Sequence, residues 1–249
     1  MVSESSPLQR MVNKLGFWTK LDDADRAALL ALPYELKHLR PQQTLVSEGD
    51  RATHSALMVS GYSYRQKTVR DGGRQIIALQ VPGDLVDLQN SLLQIADHEV
   101  QALTEAEFAL IPREAIVELA FERPAVGYAM WYDTLVDASI AREWAVNIGR
   151  RDARTRMAHM LCEFAVRLRV AGGDELSNYV LPMNQEQLAD ALALTPVHVN
   201  RTIRALEAEG LISRASSRAI HIGDWKTLAD AGDFDPTYLH FTVEQMTLP

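Results

Sequence analysis

At 249 residues the chain is long enough for two domains, and its 47% hydrophobic and 23% charged content is that of an ordinary globular protein. No stretch approaches the roughly 20 apolar residues of a membrane helix. A single cysteine, Cys162, excludes an internal disulfide framework and any Cys-only cluster held by one chain, and the net charge of −8 argues at first against nucleic acid.

The first residues, MVSESSPLQRMVNKLG, lack the basic-then-apolar profile of a signal peptide, so a cytoplasmic protein without a membrane partner is expected. Residues 1–33 read as amphipathic helix, with Leu15, Trp18 and Leu21 ahead of an Asp-led run. From Tyr34 to Ile111 the pattern changes to short alternating runs punctuated by glycine turns. Strands are expected at Thr44–Val46, Ala56–Val59, Tyr62–Val69, Arg74–Val81, Glu99–Leu103 and Glu107–Ile111. Such spacing indicates a small antiparallel barrel or sandwich.

Pro112 and Pro124 bracket a short helix, Glu114–Phe121, and a long helical segment follows over Ala125–Ile148. Its breadth of apolar residues, Tyr128, Trp131, Leu135, Ile140 and Trp144 among them, predicts a helix covered both by its own barrel and by a second copy. A parallel homodimer through Ala125–Ile148 is therefore expected. Gly149-Arg150-Arg151-Asp152 breaks the pattern. The expected domains are 1–123, a sensing barrel with N-terminal helices; 124–149, the dimerisation helix; and 150–249, a DNA-binding domain. The next helix, Ala153–Val170, carries Cys162 in apolar surroundings that favour a buried thiol, and it exits through Ala171-Gly172-Gly173.

Met183–Ile212 carries the strongest local signals. Asn184 can cap one helix with Gln187 as its capping-box partner, and the helix breaks at Leu192-Ala193-Leu194. Thr195 is a second cap, Pro196 takes the first helical position, and Gly210 ends the second helix. Two short helices around a tight turn form a helix-turn-helix. Val199, Ile203 and Leu206 form its buried stripe. Val197, Arg201, Arg204 and Ala208 lie opposite, flanked by His198 and Asn200. That face suits base reading: Arg can hold guanine bidentately, Asn can hold adenine, and Val can meet the thymine methyl. Leu211–Arg214 and Arg218–Ile222 read as a hairpin wing around Ala215-Ser216-Ser217, with Arg214 and Arg218 in reach of phosphate. From Pro196 to Arg218 four arginines face two glutamates, so a locally basic reading surface survives the acidic total. The tail, Asp224–Leu239, reads as a short helix with an aromatic patch used in packing. The whole is an α+β chain: an N-terminal antiparallel, jelly-roll-like β-barrel, a long dimerisation helix and a C-terminal winged helix-turn-helix.

This order of elements resembles the Crp/Fnr family of bacterial transcription regulators. The resemblance covers roughly Leu15 to Ile222 and is strongest at LALTPVHVNRTIRALEAEGLI and VSEGD…VSG…GGRQIIALQVPGDL. It implies a cyclic-nucleotide-binding-type effector domain, a homodimer, a palindromic promoter site on double-stranded DNA, and RNA polymerase as a partner. It also implies phosphate contacts from Gln185 and Thr195. The family's recognition helix begins Ser/Thr-x-Glu; here Val197 replaces that Glu, which changes the preference expected at one base pair.

The effector pocket departs further. Gly83 and Asp84 keep the family's turn, but Asp87 and Leu88 follow where cyclic-AMP-binding members carry Gly-Glu. The register of their phosphate-binding Arg falls at Ala96-Asp97-His98, and the adenine-contacting hydroxyls of the long helix become Ala141 and Arg142. With Asp97 in place of a cation, phosphate would be repelled. Gly83, Asp84, Asp87, Leu88, Asp97 and Arg142 are thus the effector-pocket candidates, cyclic AMP is not expected, and no cofactor, metal ligand or catalytic residue is assigned. Two other readings stay open. One is a haem- or thiol-redox-responsive sensor on the same scaffold, although His38, His54 and His98 are scattered. The other is a small-molecule-binding barrel enzyme, although no compact His/His/Glu/His set appears.

Overall fold

A computed structural model describes residues 6–172, 177–216 and 218–242. Gly173 of the expected linker and Ser217 of the expected wing turn lie outside the described residues. The elements are α1 (Gln9–Trp18), α2 (Asp23–Leu30), β1 (Glu35–Leu39), β2 (Thr44–Val46), β3 (His54–Ser60), β4 (Ser63–Thr68), β5 (Arg74–Gln80), β6 (Glu99–Ala102), β7 (Ala106–Pro112), α3 (Arg113–Glu122), α4 (Pro124–Arg150), α5 (Ala153–Val170), β8 (Asn178–Val180), α6 (Gln185–Leu192), α7 (Pro196–Ala208), β9 (Ile212–Arg214), β10 (Ala219–Ile222) and α8 (Trp225–Ala231). Single 3₁₀ turns add Leu88–Ser91 and Pro236–Leu239. The chain divides into two compact units, residues 1–66 with 79–137, and residues 67–78 with 138–249.

The expected barrel takes the form of two antiparallel sheets, ordered β1-β7-β3 and β2-β6-β4-β5. Alternation along the strands turns Leu39, Met58, Val100, Ala102 and Phe108 inward, so both sheets contribute to one buried cluster. The β3–β4 turn requires Gly61. Its φ is +78°, and a Cβ there would lie 2.2 Å from the Glu105 carbonyl oxygen. Before the roll, α1 buries Met11, Val12, Leu15 and Trp18, a helical repeat, and α2 starts on an Asp22–Asp25 capping box. Lys14 of α1 bonds both Asp84 (2.9 Å) and Asp133 (3.0 Å). Burial opposes its charge, but the two carboxylates outweigh that and raise its pKa.

In the second unit α5 is buried almost all round from Met157 to Val166. Glu163, 3% exposed, receives the Trp144 indole N–H (3.0 and 3.1 Å) and the Tyr238 hydroxyl (2.8 Å). His159 lies against the Phe234 and Tyr238 rings at 5.2 and 5.8 Å. The tail aromatics therefore pack on α5, as expected from sequence, and Gly232 permits this because a Cβ there would lie 2.7 Å from His159 N. The wing is a three-stranded sheet ordered β8-β10-β9. The sequence reading names neither β1 nor β8. Both are short edge strands, of five and three residues, too brief for a clear period-two pattern.

Candidate nucleic-acid interface

The reading head is built from local signals that all appear. Asn184 Oδ1 accepts from Gln187 N and Gln187 Oε1 accepts from Asn184 N, both at 2.9 Å, which closes the capping box of α6. Thr195 Oγ1 accepts from His198 N at 3.2 Å and caps α7, with Pro196 next. The turn passes through Ala193 in the left-handed conformation, φ +51°, ψ +47°. Val199, Thr202, Ile203 and Leu206 are buried, while Val197 is 82% exposed.

Arg201 and Arg204 are exposed, and their side chains make no hydrogen bond or ion pair among the described residues; His198 and Asn200 are half-buried beside them. Gln185 stands exposed at the start of α6, and Thr195 keeps its hydroxyl proton for an acceptor. Arg218 is exposed on the wing, and its guanidinium makes no hydrogen bond or ion pair among the described residues. Arg214 is placed differently from the sequence expectation. Its guanidinium holds Glu207 through Nε–Oε1 (2.7 Å) and Nη2–Oε2 (3.0 Å), so in this structure it fastens the wing to α7. That hydrogen bond holds the Glu207 carboxyl below its usual range.

Other arginines clamp the head. Arg154 Nε bonds both Glu209 oxygens at the end of α7 (3.0 and 2.9 Å). Arg156 donates to the carbonyls of Ile148 (2.8 Å), Arg151 (3.0 Å) and Leu192, joining the end of α4 to the end of α6. Arg74 and Gln75 of β5 reach α6 through Asp190 Oδ2 (2.7 Å) and the Asp190 carbonyl (2.6 Å). These clamps escape sequence reading because their partners are distant in the chain.

Within the first unit, the His98 imidazole lies between two of the effector candidates, Asp87 and Asp97. Asp84 binds Lys14 and accepts from Val81 N (2.8 Å), holding the turn that Gly83 opens at φ +99°. Leu88 is buried, Asp97 is exposed and bonds His98 (2.7 Å), and Arg142 is exposed on α4. Asp87 is 1% exposed and accepts from His98 at 2.9 Å. The sequence reading finds no cation here, whereas the structure supplies one: buried Arg65 lies 3.9 Å from Asp87. Its guanidinium is already committed to Asp137 and the Val86 carbonyl, which leaves little for a phosphate. Cys162 is fully buried, and burial pushes its thiol far above the ordinary range.

The comparisons agree with this geometry. Residues 155–231 match a Crp-like helix-turn-helix domain and residues 36–123 a cyclic nucleotide-binding domain. The chain is 30% identical over 220 residues to the transcriptional activator protein FnrL of Cereibacter sphaeroides, covering 86% of this chain and 87% of that protein. It is 28% identical over 172 residues to the nitrogen fixation regulation protein FixK of Azorhizobium caulinodans, covering 69% and 68%. In fold it is similar to FixK2 from Bradyrhizobium japonicum, with a TM-score of 0.71 at 22% identity over 80% of this chain and 98% of that one. No helix among the described residues is long and apolar enough to cross a membrane. The chain belongs to the Crp/Fnr family of transcription regulators, and its winged helix-turn-helix is a DNA-binding head.

Proposed function

We propose that the protein is a cytoplasmic, non-catalytic regulator that binds a palindromic promoter site as a homodimer, beside RNA polymerase, without cyclic AMP. The observation that carries the DNA reading is the α7 face on which Val197, Arg201 and Arg204 stand exposed, on a helix capped at its start and clamped at its end. His198 and Asn200 flank that face, Gln185, Thr195 and Arg218 supply phosphate contacts, and Arg214 keeps the wing in place. Two such heads would enter successive major grooves about one helical turn (~34 Å) apart.

Support for the homodimer comes from α4. Tyr128, Trp131 and Leu135 are 49, 65 and 51% exposed, and with Ala138, Arg142 and Ala145 they repeat at alternating three- and four-residue steps. That is the spacing a two-helix coiled-coil seam uses, and Ala138 and Ala145 are small enough to allow close approach. Against cyclic AMP stand the loss of a cation at Ala96-Asp97-His98 and the commitment of Arg65. The test is DNA selection by the purified chain at controlled salt without added ligand, with the mass of the bound species determined in parallel. Recovery of an inverted repeat bound by two chains is expected. Recovery of an unrelated set of sequences, or of a monomer complex, would overturn the reading.

A further inference from the structure

The roll contains a cavity of about 220 Å³ whose polar wall includes Lys37, Arg51, Thr53, His54, Asp87 and Asn90. None of the other effector candidates, Gly83, Asp84, Leu88, Asp97 and Arg142, lines it. Asp87 and Asn90 are each 1% exposed. Asp87 uses Oδ1 for His98, but among the described residues its Oδ2 has no hydrogen-bond partner, and neither has the Asn90 amide nitrogen. Buried polar atoms are paired as a rule, so two orphans on residues that line one cavity call for an explanation. One orphan needs a donor and the other an acceptor. A hydroxyl meets both needs at once, since it carries one proton and two lone pairs.

The cavity's cations point to the other end of the ligand. The side chains of Lys37 and Arg51 make no hydrogen bond or ion pair among the described residues. Asp50, which accepts from Ser47 N (3.0 Å), lines the same cavity and opposes a multiply charged anion. The volume is below the roughly 300–1,000 Å³ of drug-sized ligand sites but several times the ~30 Å³ share of one water.

We propose that this cavity binds a small monoanionic hydroxycarboxylate, its hydroxyl bridging Asp87 Oδ2 and the Asn90 amide and its carboxylate facing Lys37 and Arg51. The binding is independent of the DNA reading and is measured without DNA.

The test is calorimetric titration of the full chain with glycolate, lactate and glycerate, against propionate, which lacks the hydroxyl, and glycerol, which lacks the charge. The hydroxy acids are expected to bind at least about tenfold more tightly than either control, because a site built to pair a hydroxyl rejects its absence. Asn90→Ala should bring the lactate-to-propionate ratio toward one. Arg51→Gln, a change at an exposed residue, should weaken lactate binding with an unchanged thermal midpoint, and it decides the matter even if the Asn90 variant fails to fold. No binding of any hydroxy acid at about 10 mM, equal binding of propionate, or full affinity in Arg51→Gln would overturn the proposal. So would a crystal grown with lactate in which Asp87 and Asn90 are paired by water alone.

Discussion

Arg214 grips Glu207 through two parallel hydrogen bonds of 2.7 and 3.0 Å and ties β9 of the wing to the recognition helix. Arg218, just before β10, makes no side-chain hydrogen bond or ion pair among the described residues, so two arginines four residues apart have separable effects on DNA binding. Arg218→Ala should lower affinity evenly across sequences and reduce the slope of log K against log salt by about one. Arg214→Ala should also lower affinity by loosening the wing, but with the slope nearly unchanged. A filter-binding salt series on both variants checks this, and equal slope losses would mean that Arg214 releases Glu207 to meet phosphate.

Arg201 lies at the centre of the exposed face, with no side-chain partner among the described residues to lose. Arg201→Ala should cost roughly 1–3 kcal/mol of specific binding and relax discrimination at one base pair, with non-specific binding much less affected. Competition against single-base operator variants provides the measurement. An unchanged preference at every position would remove Arg201 from base reading.

Ala193 holds a left-handed conformation that costs a residue with a Cβ about 1–2 kcal/mol. Ala193→Gly relieves that strain but gives the unfolded chain more freedom, so a net gain of roughly 0.5–1 kcal/mol is expected. Chemical denaturation with an unchanged m-value would verify it. The same exchange at Ala191, buried within α6, should instead destabilise by about 1 kcal/mol.

Two buried histidines shift in opposite directions. For His98, burial and the charge of Arg65 oppose protonation, but the hydrogen bond to Asp87, that carboxylate's charge and a hydrogen bond to Asp97 more than compensate, and its pKa rises above 6.5. Its contribution to stability is full below the unfolded pKa and is lost as pH rises through the folded one. For His159, burial dominates and the pKa falls below 6.5, so the fold loses stability as pH drops below the unfolded value. Thermal midpoints of His98→Asn and His159→Asn should therefore approach wild type at opposite ends of the range: the first at high pH, the second at low pH. Parallel pH profiles for the two variants would contradict the assignment.

Trp131 and Leu135 are exposed on the α4 stripe, so Trp131→Glu with Leu135→Glu should abolish association while leaving the monomer's helical circular-dichroism signal intact. Sedimentation at micromolar concentration distinguishes this from a dimer held elsewhere.

What the sequence by itself determined lies within short spans. The capping box of α6, the Thr195-Pro196 start of α7, the Gly210 stop and the Val199-Ile203-Leu206 stripe each depend on residues a few positions apart, so a 3.6-residue period and cap chemistry locate them. The inner strands follow from alternation and glycine turns for the same reason. Tertiary structure alone decided the rest. Arg65 meets Asp87 and Asp137 from three separate segments, and Asn90 becomes an orphan donor only because the roll closes around its turn. The polar run Gln89-Asn90-Ser91 after the Gly83-Asp84 turn was the one hint in the sequence that such a wall existed. Arg214 shows the same limit on the reading head. An exposed cation near a phosphate path and a cation spent on Glu207 look alike in sequence, because spacing fixes which face a residue occupies but not which partner across the turn desolvates and holds it.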